Sequence, residues 1–123
     1  LNQEIAKTLL EKKKLIVSTA EDGRIGAEMF QESIPNYYDV ILMDIRMPVM
    51  DGYEATRCIR TMNRKDAKTV PIIAMTADAF ADDVQKCLNA GMNSHLAKPI
   101  EPGVLYETLY KAIVERQKKI HCQ

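Results

Sequence analysis

Three polar side chains, Asp44, Thr76 and Lys98, each directly follow a predicted strand. The strands before Asp44 and Thr76 are apolar runs, which are typical of strands buried on both faces of a parallel sheet, whereas the strand before Lys98 is brief. Because parallel strands bring their carboxyl ends to one edge, we expect the three side chains to meet there. Together they suit phosphoryl transfer: the carboxylate attacks phosphorus, the lysine neutralises a phosphoryl oxygen and the threonine donates a hydrogen bond. The three predicted strands are residues 40–43, 70–75 and 94–97.

Phosphoryl chemistry at a carboxylate normally needs a divalent metal ion as well. Mg²⁺ prefers oxygen ligands in octahedral geometry, commonly one or two carboxylates with waters and phosphate oxygens. Asp44 supplies only one carboxylate. These residues therefore account for part of a magnesium site.

Each of these residues also has a purely structural interpretation. Asp44 could cap the turn after its strand, Thr76 could cap the next helix, and Lys98 alone could be a solvated lysine. Their coincidence at matching strand ends favours the chemical interpretation. Asp51-Gly52 is typical of turns, and we interpret it as structural.

Predicted helices and strands alternate along the chain, which indicates an α/β fold with a parallel sheet. A β-rich run at 15–20 predicts one more strand, ahead of the three that end in the site residues. Amphipathic helices are predicted before and after this strand and after each later one, and the polar stretch 63–68 is predicted to be a loop. The helices begin near Asn2, which can act as the cap, and near Gly23, Tyr53, Asp82 and Pro102.

The composition fits one globular domain over residues 1–123, with 46% hydrophobic and 28% charged residues. Seventeen basic residues balance seventeen acidic ones, so no net charge attracts nucleic acid or an anionic membrane. No apolar run approaches the ~18 residues of a membrane span. Three widely spaced cysteines favour a reduced protein over a disulfide scaffold or zinc site. We therefore expect a cytoplasmic domain, either free or as the cytosolic part of a membrane-bound sensor.

Three segments carry a resemblance to a known family. They are D-V-I-L-M-D-I-R-M-P-V-M-D-G at 39–52, P-I-I-A-M-T-A at 71–77 and G-M-N-S-H-L-A-K-P-I at 91–100. In these motifs and their spacing the chain resembles the receiver domain of response regulators in bacterial two-component signalling. It is most similar to the receivers of hybrid sensor histidine kinases, and the resemblance covers essentially the whole chain.

The resemblance implies a flavodoxin-like, doubly wound parallel sheet of strand order 2-1-3-4-5. It implies a phosphorelay function, in which a histidine kinase or histidine phosphotransfer domain donates the phosphoryl group and Mg²⁺ is the cofactor. The domain's own chemistry would be limited to self-phosphorylation and dephosphorylation, and whether the parent is a hybrid histidine kinase stays open. The implied roles are phosphoacceptor and metal ligand for Asp44, metal ligand through the main-chain carbonyl for Arg46, switch hydroxyl for Thr76, phosphate binding for Lys98, switch positions for His95 and Ala77, and a cis peptide bond for Lys98-Pro99.

One departure from the family concerns its first strand, which ends in a pair of metal-binding acids and has no counterpart in this sequence. In the family order that strand would lie between the strands at 15–20 and 40–43, so we expect a gap near the middle of the sheet. A buried unpaired main-chain group costs about 1 to 3 kcal/mol, against a total stability of about 5 to 15. We therefore expect the gap to be filled by an exchanged or rearranged strand, by a homodimer or by residues outside this sequence, and magnesium binding to be weakened.

A second departure is His95, which stands where the family usually has Tyr or Phe. A histidine can rotate inward in the same way but can also gain charge near neutral pH. A further hypothesis places Arg46 and Asp78, each two residues beyond a site residue, across the site from each other, where they would control water access to an aspartyl phosphate.

Two other functions compete with the phosphoacceptor. The first is a receiver-like interaction module that no longer accepts phosphate because its metal-binding acids are missing. The second is a phosphatase of the haloacid dehalogenase type, which needs a second Asp two residues after Asp44, where Arg46 stands. A nucleotide-binding fold is excluded more simply, because neither a G-x-G-x-x-G nor a P-loop motif occurs.

Overall fold

The computed structural model describes residues 2–47, 49–77 and 81–121. The capping role predicted for Asn2 and the role considered for Asp78 concern side chains outside the described part. The elements of the described residues are α1 (Asn2–Lys12), α2 (Gly23–Glu32), β1 (Ile41–Asp44), α3 (Gly52–Arg60), α4 (Asp66–Thr69), β2 (Ile72–Thr76), α5 (Ala81–Ala90), β3 (Ser94–Ala97) and α6 (Pro102–His121).

The three strands form one parallel sheet with β2 in the middle. All five residues of β2 are buried, as expected for a strand with neighbours on both sides and helices on both faces. The register pairs Asp44 with Met75 and Thr76 with Ala97, so the three strands end at one level. The strands predicted to end in site residues and the α/β fold are therefore confirmed.

Helices cover both faces of this sheet. Successive residues of a strand point to opposite faces, and β2 follows this rule: Ile72 packs with residues of α2, α3 and α5, whereas Ile73 packs with residues of α1 and α6. Each face therefore has its own apolar core, which is the doubly wound arrangement expected from the sequence.

The strand predicted at 15–20 is wrong, because this segment has no regular secondary structure. α1 ends in a turn at Lys14, whose φ is 62°, and the side chain of Ile16 beyond it is 96% exposed. A strand needs main-chain partners on a neighbouring strand, and no strand of the described part pairs with this segment. Intrinsic β-propensity alone does not replace those partners.

A cavity of about 300 Å³ lies beside β1 where the gap was predicted, but it borders the outer edge of the three-stranded sheet and not its middle, because no strand forms at 15–20. The segment 15–20 and β1 both line this cavity, and α1, α2 and α6 contribute apolar residues to it. No rearranged strand fills it within the described residues, and a homodimer stays a prediction.

The polar stretch 63–68, predicted to be a loop, contains the first residues of the short helix α4. Arg64 organises this region, since its guanidinium donates to the carbonyl of Phe30 at 2.7 Å and to the carbonyl of Ser33 at 3.1 Å, at the end of α2. Its Nε also donates to Asp66 Oδ1 at 2.6 Å. Asp66 in turn accepts from the main-chain N–H of Asn36 at 3.0 Å. These bonds fix the loop that leads from α2 into β1.

None of the helices in the described ranges combines the length and apolar character that crossing a membrane requires.

Candidate functional site

Asp44 and Lys98 lie in direct contact at the carboxyl edge of the sheet. Lys98 Nζ donates to Asp44 Oδ2 at 2.8 Å, with the two side chains 18% and 28% exposed. Asp44 is the last residue of β1, and Lys98 follows β3 on the far side of β2. The meeting of these two side chains, which are 54 residues apart in the chain, was predicted from the strand ends and is confirmed.

Thr76 lies between them as the last residue of the central strand. Thr76 is only 7% exposed, and its carbonyl accepts a hydrogen bond from the main-chain N–H of Lys98 at 2.8 Å. This bond fixes the chain just after β3, so the strand that carries Thr76 also positions the lysine. The peptide bond between Lys98 and Pro99 is cis, as the resemblance implies.

Arg46 contributes its main chain to the site. Its N–H donates to Asp44 Oδ1 at 3.2 Å, in the turn directly after β1. The two carboxylate oxygens of Asp44 therefore face different donors, an ammonium group on one side and a main-chain amide on the other. This pair of contacts holds the carboxylate in one orientation at the mouth of the site.

A second cavity, of about 460 Å³, opens at this mouth. It is lined by Thr76 and the loop after β1, and also by Tyr53 and Lys86 from α3 and α5. The sequence placed Tyr53 near the start of a helix but assigned neither Tyr53 nor Lys86 to the site, and no motif identifies them there. Only the packing of the helices beside the strand ends brings them to the cavity.

Asp51-Gly52 is structural, as predicted, and it also supports the site. Asp51 caps α3 by accepting the main-chain N–H of Glu54 at 2.9 Å. Gly52 approaches the end of β1 so closely that a Cβ on it would lie 2.5 Å from the carbonyl oxygen of Asp44 and 2.8 Å from Cα of Ile45. A glycine is therefore required where α3 begins behind the phosphoacceptor candidate.

The two predicted switch positions lie on neighbouring strands, directly after β2 and within β3. Ala77 is exposed directly after Thr76, and His95 is half-buried on β3, opposite Ala74. The switching roles of both residues stay predictions.

The described residues supply an incomplete magnesium site. Asp44 and the carbonyl of Arg46 offer oxygen ligands of the kind that Mg²⁺ prefers. However, no group of three or more His, Cys, Asp or Glu side chains suited to a metal occurs within the described ranges. A single carboxylate that already contacts Lys98 does not make a complete site, so we assign no step of the chemistry to a metal ion.

The fold and the site together define a class of protein: a doubly wound α/β domain with an aspartate, a threonine and a lysine at three successive strand ends. Over residues 1–110 the sequence matches the family described as response regulator receiver domain. The chain belongs to this family, and it is therefore a receiver domain of two-component phosphorelay signalling.

Individual relatives agree with this assignment. The chain is 40% identical to hybrid signal transduction histidine kinase I of Dictyostelium discoideum over 111 residues, which cover 89% of the chain and 6% of that protein. The chain thus spans a small part of this relative. It is also 40% identical to the receiver domain of a sensor histidine kinase from Pseudomonas aeruginosa, with a TM-score of 0.81 and coverage of 91% of this chain and 88% of that one. The structure of that neighbour has a magnesium ion coordinated in the active site cleft.

A chemotaxis response regulator of Vibrio cholerae has the same fold, with 30% identity, a TM-score of 0.79 and coverage of 90% of this chain and 88% of that one. These comparisons favour the receiver over the dehalogenase-type phosphatase, for which Arg46 already occupied the wrong position.

Proposed function

We propose that Asp44 accepts a phosphoryl group from a phosphohistidine on a histidine kinase or histidine phosphotransfer domain. One carboxylate oxygen attacks phosphorus while the P–N bond breaks, and the electron pair of that bond leaves on the imidazole nitrogen. The observation that carries this proposal is the 2.8 Å contact between Lys98 Nζ and Asp44 Oδ2. A lysine at this distance can transfer its hydrogen bond to a phosphoryl oxygen and offset the charge that develops there.

Thr76 is the hydroxyl donor in this proposal. Its position at the end of β2, between the strands that carry the other two groups, lets it donate to a second phosphoryl oxygen. Movement of Thr76 toward that oxygen would change the surroundings of Ala77 and His95, and would bias a two-state surface on α5, β3 and α6. The output of the domain is then an altered protein-interaction surface.

Mg²⁺ would be held by Asp44 and the main-chain carbonyl of Arg46 and would supply further positive charge at the phosphoryl group. Because these are the only two protein ligands that we assign, we expect this chain to bind the ion weakly. Residues 1–123 act in this proposal as one cytoplasmic domain of a longer signalling protein, consistent with the small share that the chain spans in its relative.

The proposal is tested by incubating the chain with acetyl phosphate and Mg²⁺ and measuring the intact mass. We expect the addition of one phosphoryl group to the chain and none to the Asp44→Asn variant. Asp51→Asn is the matched control, because Asp51 is a nearby aspartate that caps α3, and it is expected to be phosphorylated like the parent. Equal labelling of Asp44→Asn and the parent would overturn the assignment. A chain that is folded but never labelled would instead point to the interaction module without phosphoacceptor activity.

A further inference from the structure

Val49 has a main-chain conformation that its own side chain disfavours. It lies in the loop between β1 and α3, and its φ is 68°. This left-handed region is open to glycine and accessible to asparagine, but a β-branched residue in it is an outlier. Lys14 and Asn36 are the other non-glycine residues of the described part with positive φ, and neither is β-branched. Val49 is therefore the most strained of the three.

Close contacts on both sides hold the loop in this shape. The Gly52 N–H donates to the carbonyl of Ile45 at 2.9 Å, which closes the loop at its base. The loop also passes the start of α2, where a Cβ on Gly23 would lie only 2.3 Å from the carbonyl oxygen of Met50. Strained residues persist where the surrounding structure determines their conformation in this way, and they cluster at functional sites.

Burial of the side chain does not offset the strain at Val49, because the residue is 76% exposed. A single exposed apolar residue is ordinary on a protein surface and indicates nothing by itself. Here, however, the residue is both exposed and strained, and an asparagine or glycine would adopt the same φ more easily. Neither the core nor the loop conformation therefore accounts for a valine, which favours a role at the surface.

The loop that carries Val49 forms part of the mouth of the candidate site. Met47 and Asp51, two residues away on either side, line the second cavity together with Thr76. Asp44 is only 28% exposed, so a protein that brings a phosphohistidine to its carboxylate must cover the rim of this mouth. A valine on a fixed loop suits such a contact, because its side chain has little conformational freedom to lose.

We propose that Val49 is an apolar contact for the protein that donates the phosphoryl group, and that it selects a donor with an apolar patch beside its phosphohistidine. This inference rests on the proposed function of Asp44, but it concerns the docking of the donor and not the transfer itself. A small donor such as acetyl phosphate has no surface that could cover the loop. Val49 should therefore matter with a protein donor and much less with a small one.

The test compares two phosphodonors on the same variants. One is acetyl phosphate with Mg²⁺, and the other is a purified histidine phosphotransfer domain, phosphorylated on its histidine with phosphoramidate and freed from that reagent. The measured quantity is the ratio of the two labelling rates, protein donor over acetyl phosphate, by intact mass over time. We expect Val49→Asn to lower this ratio at least about tenfold, because it removes an apolar contact from the docked complex.

Two further variants are the controls. Val49→Leu restores an apolar side chain and should keep the ratio within about threefold of the parent. Ile34→Asn removes another exposed apolar residue, 69% exposed, from the loop that leads into the amino end of β1, and should leave the ratio unchanged. A ratio lowered equally by Val49→Asn and Ile34→Asn would contradict a specific contact at Val49.

Urea denaturation separates docking from folding. Val49→Asn should raise the midpoint of unfolding, because asparagine adopts a positive φ with less strain. A lower midpoint would show that the valine serves the fold, and it would overturn the proposal, as would an unchanged ratio. If no phosphotransfer domain labels a parent chain that acetyl phosphate does label, the contact at Val49 is refuted while the role of Asp44 stands. If acetyl phosphate also fails, the proposed function itself fails.

Discussion

The two sides of strand β1 differ, although they share the same four residues. On one side β1 pairs with the buried strand β2 in regular register. On the other side it faces a cavity and an exposed segment without secondary structure. The side that pairs with β2, which we call the closed side, is sufficient to bring Asp44 and Lys98 to 2.8 Å. On the side that faces the cavity, which we call the open side, the family resemblance implies a further strand whose acids complete the magnesium site. The position of the site therefore depends on the closed side of β1, and the completeness of its magnesium site depends on the open side.

The largest expected effect concerns the closed side and its chemistry. Lys98→Ala should lower the rate of phosphorylation by acetyl phosphate by about a hundredfold or more, because it removes a charged donor aimed at the phosphoryl oxygens. Lys86→Ala is the matched control, since Lys86 lines the second cavity, at the mouth of the site, but has no role in the proposed phosphoryl transfer. A similar loss in both variants, measured by intact mass over time, would mean that general positive charge and not the Asp44 contact sets the rate.

The second largest effect should be a difference in stability between substitutions on the two sides of β1. Ile73 in β2 is fully buried, whereas Ile16, which lines the cavity beside β1, is 96% exposed. We expect Ile73→Ala to lower the free energy of unfolding by about 2 to 5 kcal/mol, and Ile16→Ala to change it by less than about 0.5. Urea denaturation measures both. A large effect of Ile16→Ala would show that Ile16 is buried in solution, and the two sides of β1 would then not differ in packing.

Gly52 tests how tightly the end of β1 is held. An added Cβ would clash with main-chain atoms of Asp44 and Ile45, so Gly52→Ala should destabilise the fold by about 1 to 3 kcal/mol. Gly103→Ala, at an open position in α6, should be neutral or stabilising by up to about 1 kcal/mol. Equal unfolding midpoints for the two variants would contradict the close approach of α3 to the phosphoacceptor candidate.

The sequence was a good guide to the closed side for a physical reason. A strand buried on both faces must be apolar along its length, so residues 40–43 and 70–75 could be recognised, and the polar residues after them had to share an edge. No pattern of comparable strength exists for the segment 15–20. Its β-branched and apolar residues satisfy strand propensity, but its partners are decided by which chain lies next to it in space.

Contacts between residues far apart in the chain could not be predicted from the sequence either. Arg64 lies in a polar stretch that looks like a loop, yet its hydrogen bonds to Phe30 and Ser33 span more than thirty residues. The buried Arg116 is another such case, since its Nη1 donates to the carbonyl of Tyr38, 78 residues away in the chain. Such features depend on the packing of distant segments, which single-sequence periodicity does not record.

The smallest effect concerns the loop that enters β1 at its amino end. The hydrogen bonds from Arg64 are the main cause that lowers the pKa of Asp66 from its ordinary 3.8. A lowered pKa in the folded state means that the ionised Asp66 stabilises the fold above about pH 4, and that this stability is lost as pH falls through the folded-state pKa.

Asp66→Asn should therefore cost about 1 to 2 kcal/mol at pH 7 and progressively less in acid, because the unfolded parent takes up a proton at Asp66 before the folded parent does, which lowers the stability of the parent. The matched control is Glu28→Gln, since Glu28 pairs with Arg24 on the exposed surface of α2 and should matter little at any pH. Urea denaturation of the three proteins from pH 7 to pH 3 measures the difference. A constant gap between Asp66→Asn and the parent over this range would show that Asp66 acts through its shape and not through its charge, and that the amino end of β1 does not depend on the ion pair.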